Sequence, residues 1–237
     1  MFFSLLWAIA FLCVEVKTDA GPDLLDQYRA DATTQWEKTI QELEARDRQE
    51  KDPDHAILFL GSSSIRRWNT IEADMKPWPA IQRGYGGARY SDLAVFAHRL
   101  VRNHRFDALV IFVGNDIAGN EKDKSPEQVQ QLCVRVVKEV RRTHASQPIF
   151  FVAVTPTSSR FQVWPQIQQA NALIAKLCSE DDKLHFIQTH DHFLNEAGAP
   201  NDALFVDDKL HLNEQGYEIW ASLIKGALSK VLDASGK

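Results

Sequence analysis

A serine hydroxyl is a poor nucleophile until a base takes its proton and a third group holds that base in the right tautomer. The chain carries residue types for all three parts. Serines 62, 63 and 64 follow an apolar run in "FLGSSSI" (59–65), and Asp208 and His211 stand three apart in "VDDKLHL" (206–212). That spacing lets one turn present both side chains, with His211 as base and Asp208 as its orienter. Such chemistry also needs donors for a developing oxyanion. The glycines of "GYGG" (84–87) let a backbone N–H approach closely, and Asn115 in "VGNDIAGN" (113–120) has a side-chain amide that can donate. Taken alone, the three serines read equally well as a helix N-cap, and Asn115–Asp116 as an Asx turn.

These stretches gain meaning from the elements that precede them. Short apolar runs at 56–61, 80–85, 108–114, 149–155 and 184–189 read as strands. Amphipathic stretches between them read as helices over 63–75, 91–104, 125–144, 164–181 and 213–232. Continuous apolar strands alternating with helices predict a three-layer α/β/α sandwich with a central parallel sheet of about five strands. In such sheets the ligand crevice lies beyond the carboxyl ends of the strands. "GSSS", "GYGGARYSD", "GNDIAGN" and "TPTSSRFQ" each follow one of the first four runs, so the four loops are expected to share one rim.

The four blocks, in this order, resemble the SGNH hydrolase superfamily (GDSL-type esterase/acylhydrolase), over roughly residues 56–230. The resemblance implies a flavodoxin-like sandwich, Ser63 as nucleophile and Asp208 and His211 as its partners. It also implies an oxyanion hole made by the N–H groups of Ser63 and Gly87 and the Asn115 amide, with an acyl-enzyme intermediate and no metal or organic cofactor. Two departures stand out. Ser62 occupies the place of the family's usual acid, and the third block reads Gly-Asn-Asp rather than Gly-x-Asn-Asp, which is expected to shift the Asn115 amide by a few ångströms. A serine esterase acting on a small or carbohydrate-like ester, with a small-molecule substrate, is therefore the leading expectation. A non-catalytic ligand-binding module with a weakened oxyanion hole is the second.

In the fourth loop Arg160 is expected to contact an anionic or sugar-like group and Trp164 to wall the crevice. The pair His190 and His192 suggests a metal, but the spacing supplies two ligands where zinc sites use three or more. A polar strand exit is the expectation.

Composition narrows the rest. The 237 residues are 44% hydrophobic and 25% charged, with a formal net charge of -5, which gives no basic footprint for nucleic acid. Residues 1–20 read as a secretory signal peptide, an apolar stretch through Val14 ending in a small residue at Ala20, and predict a secreted or periplasmic protein without stable membrane insertion after processing. Residues 21–52 are expected to hold an amphipathic helix, and 53–237 the hydrolase-type domain. The cysteines that would remain after processing, Cys133 and Cys178, fall inside apolar helical patterns and read as buried thiols.

Overall fold

The computed structural model describes residues 23–235, and the expected signal segment, residues 1–20, lies outside the described residues. Five strands, β1 (Ile57–Gly61), β2 (Ala80–Gly84), β3 (Ala108–Phe112), β4 (Ile149–Val152) and β5 (Leu184–Ile187), form one parallel sheet in the order β2-β1-β3-β4-β5. This is the flavodoxin-like order, in which the strand sequence reverses between β1 and β3 and opens a crevice there.

Alternation along each strand sorts side chains to two cores. Leu58, Leu60, Leu109, Ile111 and Phe151 face one layer of helices: α1 (Asp26–Asp47), α4 (Tyr90–Val101), α5 (Pro126–Arg141) and α6 (Trp164–Ser179). Ile57, Phe59, Val110, Phe112 and Phe150 face the other layer, which holds α2 (Ser63–Arg66), α3 (Ile71–Asp74) and α7 (Glu214–Ser235). Burying such side chains contributes about 1.5–3 kcal/mol each, the driving term for closing both faces.

The helix α1 belongs to the sandwich. Its Ala32, Ile40 and Leu43 are buried, and Glu37 and Glu44 hold the Arg99 guanidinium of α4 at 2.8 Å each. Its last turn places Asp47 at 2.7 Å from the buried Arg83 of β2.

The stretch 63–75 departs from the expected single helix. It splits into α2 and α3 because Trp68 turns inward and Asp74 accepts from both Trp68 Nε1 and Thr70 Oγ1, each at 2.6 Å. Asn69 and Thr70, residues that compete with helix through local hydrogen bonds, occupy the break. β5 also ends earlier than the apolar run suggested, so His190 and His192 lie in a 3-10 turn rather than on one strand face. Among the described residues no group of three or more His, Cys, Asp or Glu side chains is placed to hold a metal, and no helix is long and apolar enough to cross a membrane.

Candidate active site

The turn after β1 is built around Gly61. Its φ of +151° and its contact with β3 exclude a side chain, since a Cβ there would lie 2.0 Å from the Phe112 carbonyl oxygen. The same carbonyl accepts the Ser62 N–H at 3.0 Å, so the chain leaves the sheet sharply and places Ser63 first in α2. Being first, Ser63 has an N–H with no partner inside the helix. From α7, Tyr217 stacks on Trp68 at 5.2 Å and donates its hydroxyl to the Ser64 carbonyl at 2.8 Å, which braces α2 from behind.

The last loop brings its side chains to the same place. The Asp208 Oδ1 accepts the N–H groups of Leu210 and His211 at 3.0 and 2.9 Å, an Asx-type turn that passes through Lys209 at φ +54°. Asp208 Oδ2 accepts from His211 Nδ1 at 2.6 Å, and His211 Nε2 lies 2.9 Å from Ser63 Oγ. Because Nδ1 must carry a proton to donate to the carboxylate, the neutral ring presents a lone pair at Nε2 to the serine hydroxyl. Burial alone would raise the Asp208 pKa, but the N–H and ring bonds from His211 and the N–H of Leu210 outweigh it and bring the carboxyl down to about 2. The Asp208 carboxyl therefore stays ionised throughout the neutral range.

The second and third loops meet beside this chain of bonds. Asn115 Nδ2 donates to the Ala88 carbonyl at 2.9 Å, and its second hydrogen remains for another acceptor. The Gly87 N–H donates to no acceptor among the described residues, and space around its Cα is open. Asp116 is buried and structural: it accepts the Tyr90 N–H at the start of α4 at 2.7 Å and pairs with Lys124 at 3.1 Å. Burial nevertheless pushes its pKa up, with the Lys124 charge and the Tyr90 N–H opposing. Between these loops lies a small cleft bordered by Ser63, His211 and Asn115, with Phe112, Val154 and Trp220 among its apolar walls.

The family model described as GDSL-like lipase/acylhydrolase matches residues 62–219, from the turn after β1 through the Asp208–His211 loop and into the last helix. The chain belongs to this GDSL-like lipase/acylhydrolase family. With the family comes the class of reaction, hydrolysis of carboxylic esters. Solved structures share the fold. A GDSL-like lipase from Bacteroides thetaiotaomicron superposes with a TM-score of 0.67 at 20% identity, covering 81% of this chain and 97% of that one. A carbohydrate esterase family 3 structure from Talaromyces cellulolyticus gives 0.58 at 16% identity, with 76% and 98% covered. A lipase/acylhydrolase from Enterococcus faecalis gives 0.56 at 16%, with 74% and 96% covered. No curated protein matches the chain.

One residue of this GDSL-like hydrolase stands elsewhere than the sequence suggested. Trp164 is 8% exposed and packs in the helix core at the start of α6; it does not border the cleft at Ser63. The apolar wall comes from Trp220 of α7 instead, whose Nε1–H donates to Thr155 Oγ1 at 3.3 Å. Its only sequence signal is helical spacing with Tyr217 and Ile224, which every core helix shares. Arg160 does border the cleft, but its guanidinium is already engaged: Nη1 donates to the Gly114 carbonyl and Nη2 to Asn115 Oδ1, the latter at 2.8 Å.

Proposed function

We propose that the protein is a serine esterase that cleaves a short acyl ester, such as an acetyl ester, from a polar, carbohydrate-like alcohol by means of Ser63, His211 and Asp208. The observation that carries this reading is the unbroken chain of bonds from Ser63 Oγ to His211 Nε2 at 2.9 Å and from His211 Nδ1 to Asp208 at 2.6 Å, opening into a cleft at the carboxyl ends of the strands.

In this mechanism His211 Nε2 takes the Ser63 proton as Oγ bonds to the acyl carbon. The carbonyl oxygen becomes an oxyanion and receives the N–H groups of Ser63 and Gly87 and the second Asn115 amide hydrogen. Collapse of the tetrahedral intermediate expels the alcohol, protonated by His211, and leaves the acyl group on Ser63. A water then gives a proton to His211 and attacks the acyl carbon. Ser63 departs with that proton, and the carboxylic acid is released.

The walls of the cleft support the short acyl group in this reading. Phe112 and Trp220 pack edge to face with ring centroids 4.5 Å apart and form the apolar side of the cleft, a closed wall that favours a short chain over a long one. Exposed Ser159, between the cleft-lining Thr157 and Arg160, favours a hydroxylated leaving group. The test is a series of p-nitrophenyl esters from acetyl to octanoyl beside acetylated sugars, each run with Ser63→Ala. The expected result is a kcat/KM that falls as the acyl chain lengthens, fluorophosphonate labelling of the wild type, and loss of both turnover and labelling in the variant. Equal labelling and turnover in Ser63→Ala would overturn the assignment of the nucleophile.

A further inference from the structure

Arg160 sits in the 3-10 segment Ser158–Val163 after β4 and reaches across to the loop after β3. A guanidinium has five donors and no acceptor, while the Ala88 carbonyl has no donor. The Asn115 amide lies between these two partners, its Oδ1 against Arg160 and its Nδ2 against Ala88. Rotating the amide by half a turn would set NH₂ against the guanidinium and oxygen against a carbonyl, so only one orientation satisfies both ends. A second bond, from Nη1 to the Gly114 carbonyl, fixes the backbone of the residue just before Asn115.

Among the described residues the charge of Arg160 has no local counter-ion: no carboxylate lies within ion-pair distance of its guanidinium, and burial lowers its pKa against the more distant pull of Asp123. A cation bonded to the amide oxygen draws electron density from the nitrogen and makes its remaining hydrogen a stronger donor. The shortened Gly114–Asn115–Asp116 turn thus gains from a distant loop the fixation that its own length would not supply.

We propose that Arg160 is the positioning residue of the oxyanion hole, locking the Asn115 amide with its free hydrogen toward the acyl oxygen and polarising it for the developing charge. This rests on the reading of Asn115 as an oxyanion donor.

The test is a double-mutant cycle on p-nitrophenyl acetate with Asn115→Ala, Arg160→Met and the pair, and with Arg160→Lys alongside. Arg160→Met is expected to lower kcat by about 10–100-fold with KM within about threefold, part of the single-donor loss known for oxyanion holes. Arg160→Lys should recover part of kcat, since one ammonium can still donate to Asn115 Oδ1. The double variant should be no slower than Asn115→Ala, because both changes remove the same interaction. Additive losses would overturn the proposal, as would a raised KM with unchanged kcat, the signature of a substrate contact. An Asn115→Ala variant with wild-type kcat would overturn the oxyanion role itself, and this proposal with it. Should Arg160→Met fail to fold, Arg160→Lys combined with Asn115→Ala provides the same cycle.

Discussion

Replacing Asp208 by Asn tests the hydrogen-bond logic of the last loop at one atom. Asp208 Oδ1 serves two backbone N–H groups at 3.0 and 2.9 Å, so the asparagine will keep its oxygen there and turn its NH₂ toward His211 Nδ1, 2.6 Å from the present Oδ2. Nδ1 must then accept, the ring proton moves to Nε2, and Nε2 faces Ser63 Oγ across 2.9 Å as a donor instead of a base. Two losses combine. The attraction between imidazolium and carboxylate at 2.6 Å is worth about 6 kcal/mol at an effective dielectric near 20 and about 1.6 in water. With the Asp208 side chain 42% exposed the value falls low in that span, about 2–3 kcal/mol. Restoring the useful tautomer against two opposed donors costs about 1–3 kcal/mol more. The sum corresponds to a fall in kcat of about 10²–10⁴, with KM within about threefold. Initial rates on p-nitrophenyl acetate measure it, with thermal melting to show that Asp208→Asn is folded. A folded variant that keeps more than a tenth of the wild-type kcat would refute this account of how His211 is oriented.

Two further predictions concern the frame that holds the site. Gly61→Ala would force a Cβ into the Phe112 carbonyl at 2.0 Å, so a loss of about 3 kcal/mol or more is expected, a drop in Tm of roughly 6–12 °C for a chain of this size; a Tm within 2 °C of wild type, as roughly under 1 kcal/mol, would contradict the close approach. On the opposite side, buried His104 lies 2.8 Å from Asp52 and 3.1 Å from Asp47, and although burial lowers its pKa the two carboxylates raise it more. A folded pKa above the unfolded value means stability fully present below about pH 6.5 and lost as pH rises through the folded pKa. The urea midpoint difference between wild type and His104→Gln should therefore shrink between pH 6 and pH 9, about 6.5 being the unfolded reference, and the difference cancels most of the opposite trend from His144 and His185, whose burial lowers their pKa values. A constant difference across that range would rule out a charged His104.

Much of this molecule is legible in one dimension. Strands that read as apolar runs must be buried on both faces, which dictates helices on either side, and loops after the strands must then share a rim. Asp208 and His211 are close in sequence, and their turn is local, so their pairing is readable before any fold is known. The split of 63–75 into two helices was not readable, because it depends on Trp68 finding a pocket against Tyr217 and Trp220 of the last helix.

The sequence by itself thus determined the layer architecture, the order of the site-bearing loops and the residue types each could offer, since periodicity and local turns carry that information. Tertiary structure decided which of those residues meet. Ser63 and His211 are 148 positions apart, and Arg160 and Asn115 are 45 apart, distances at which sequence sets no geometry. Only the packed sheet turns Arg160 from an apparent ligand contact into the partner of Asn115, sends Trp164 into the core, and brings Trp220 to the cleft. The physical reason is that a side chain's role depends on which donors, acceptors and apolar surfaces surround it, and those neighbours come from other elements.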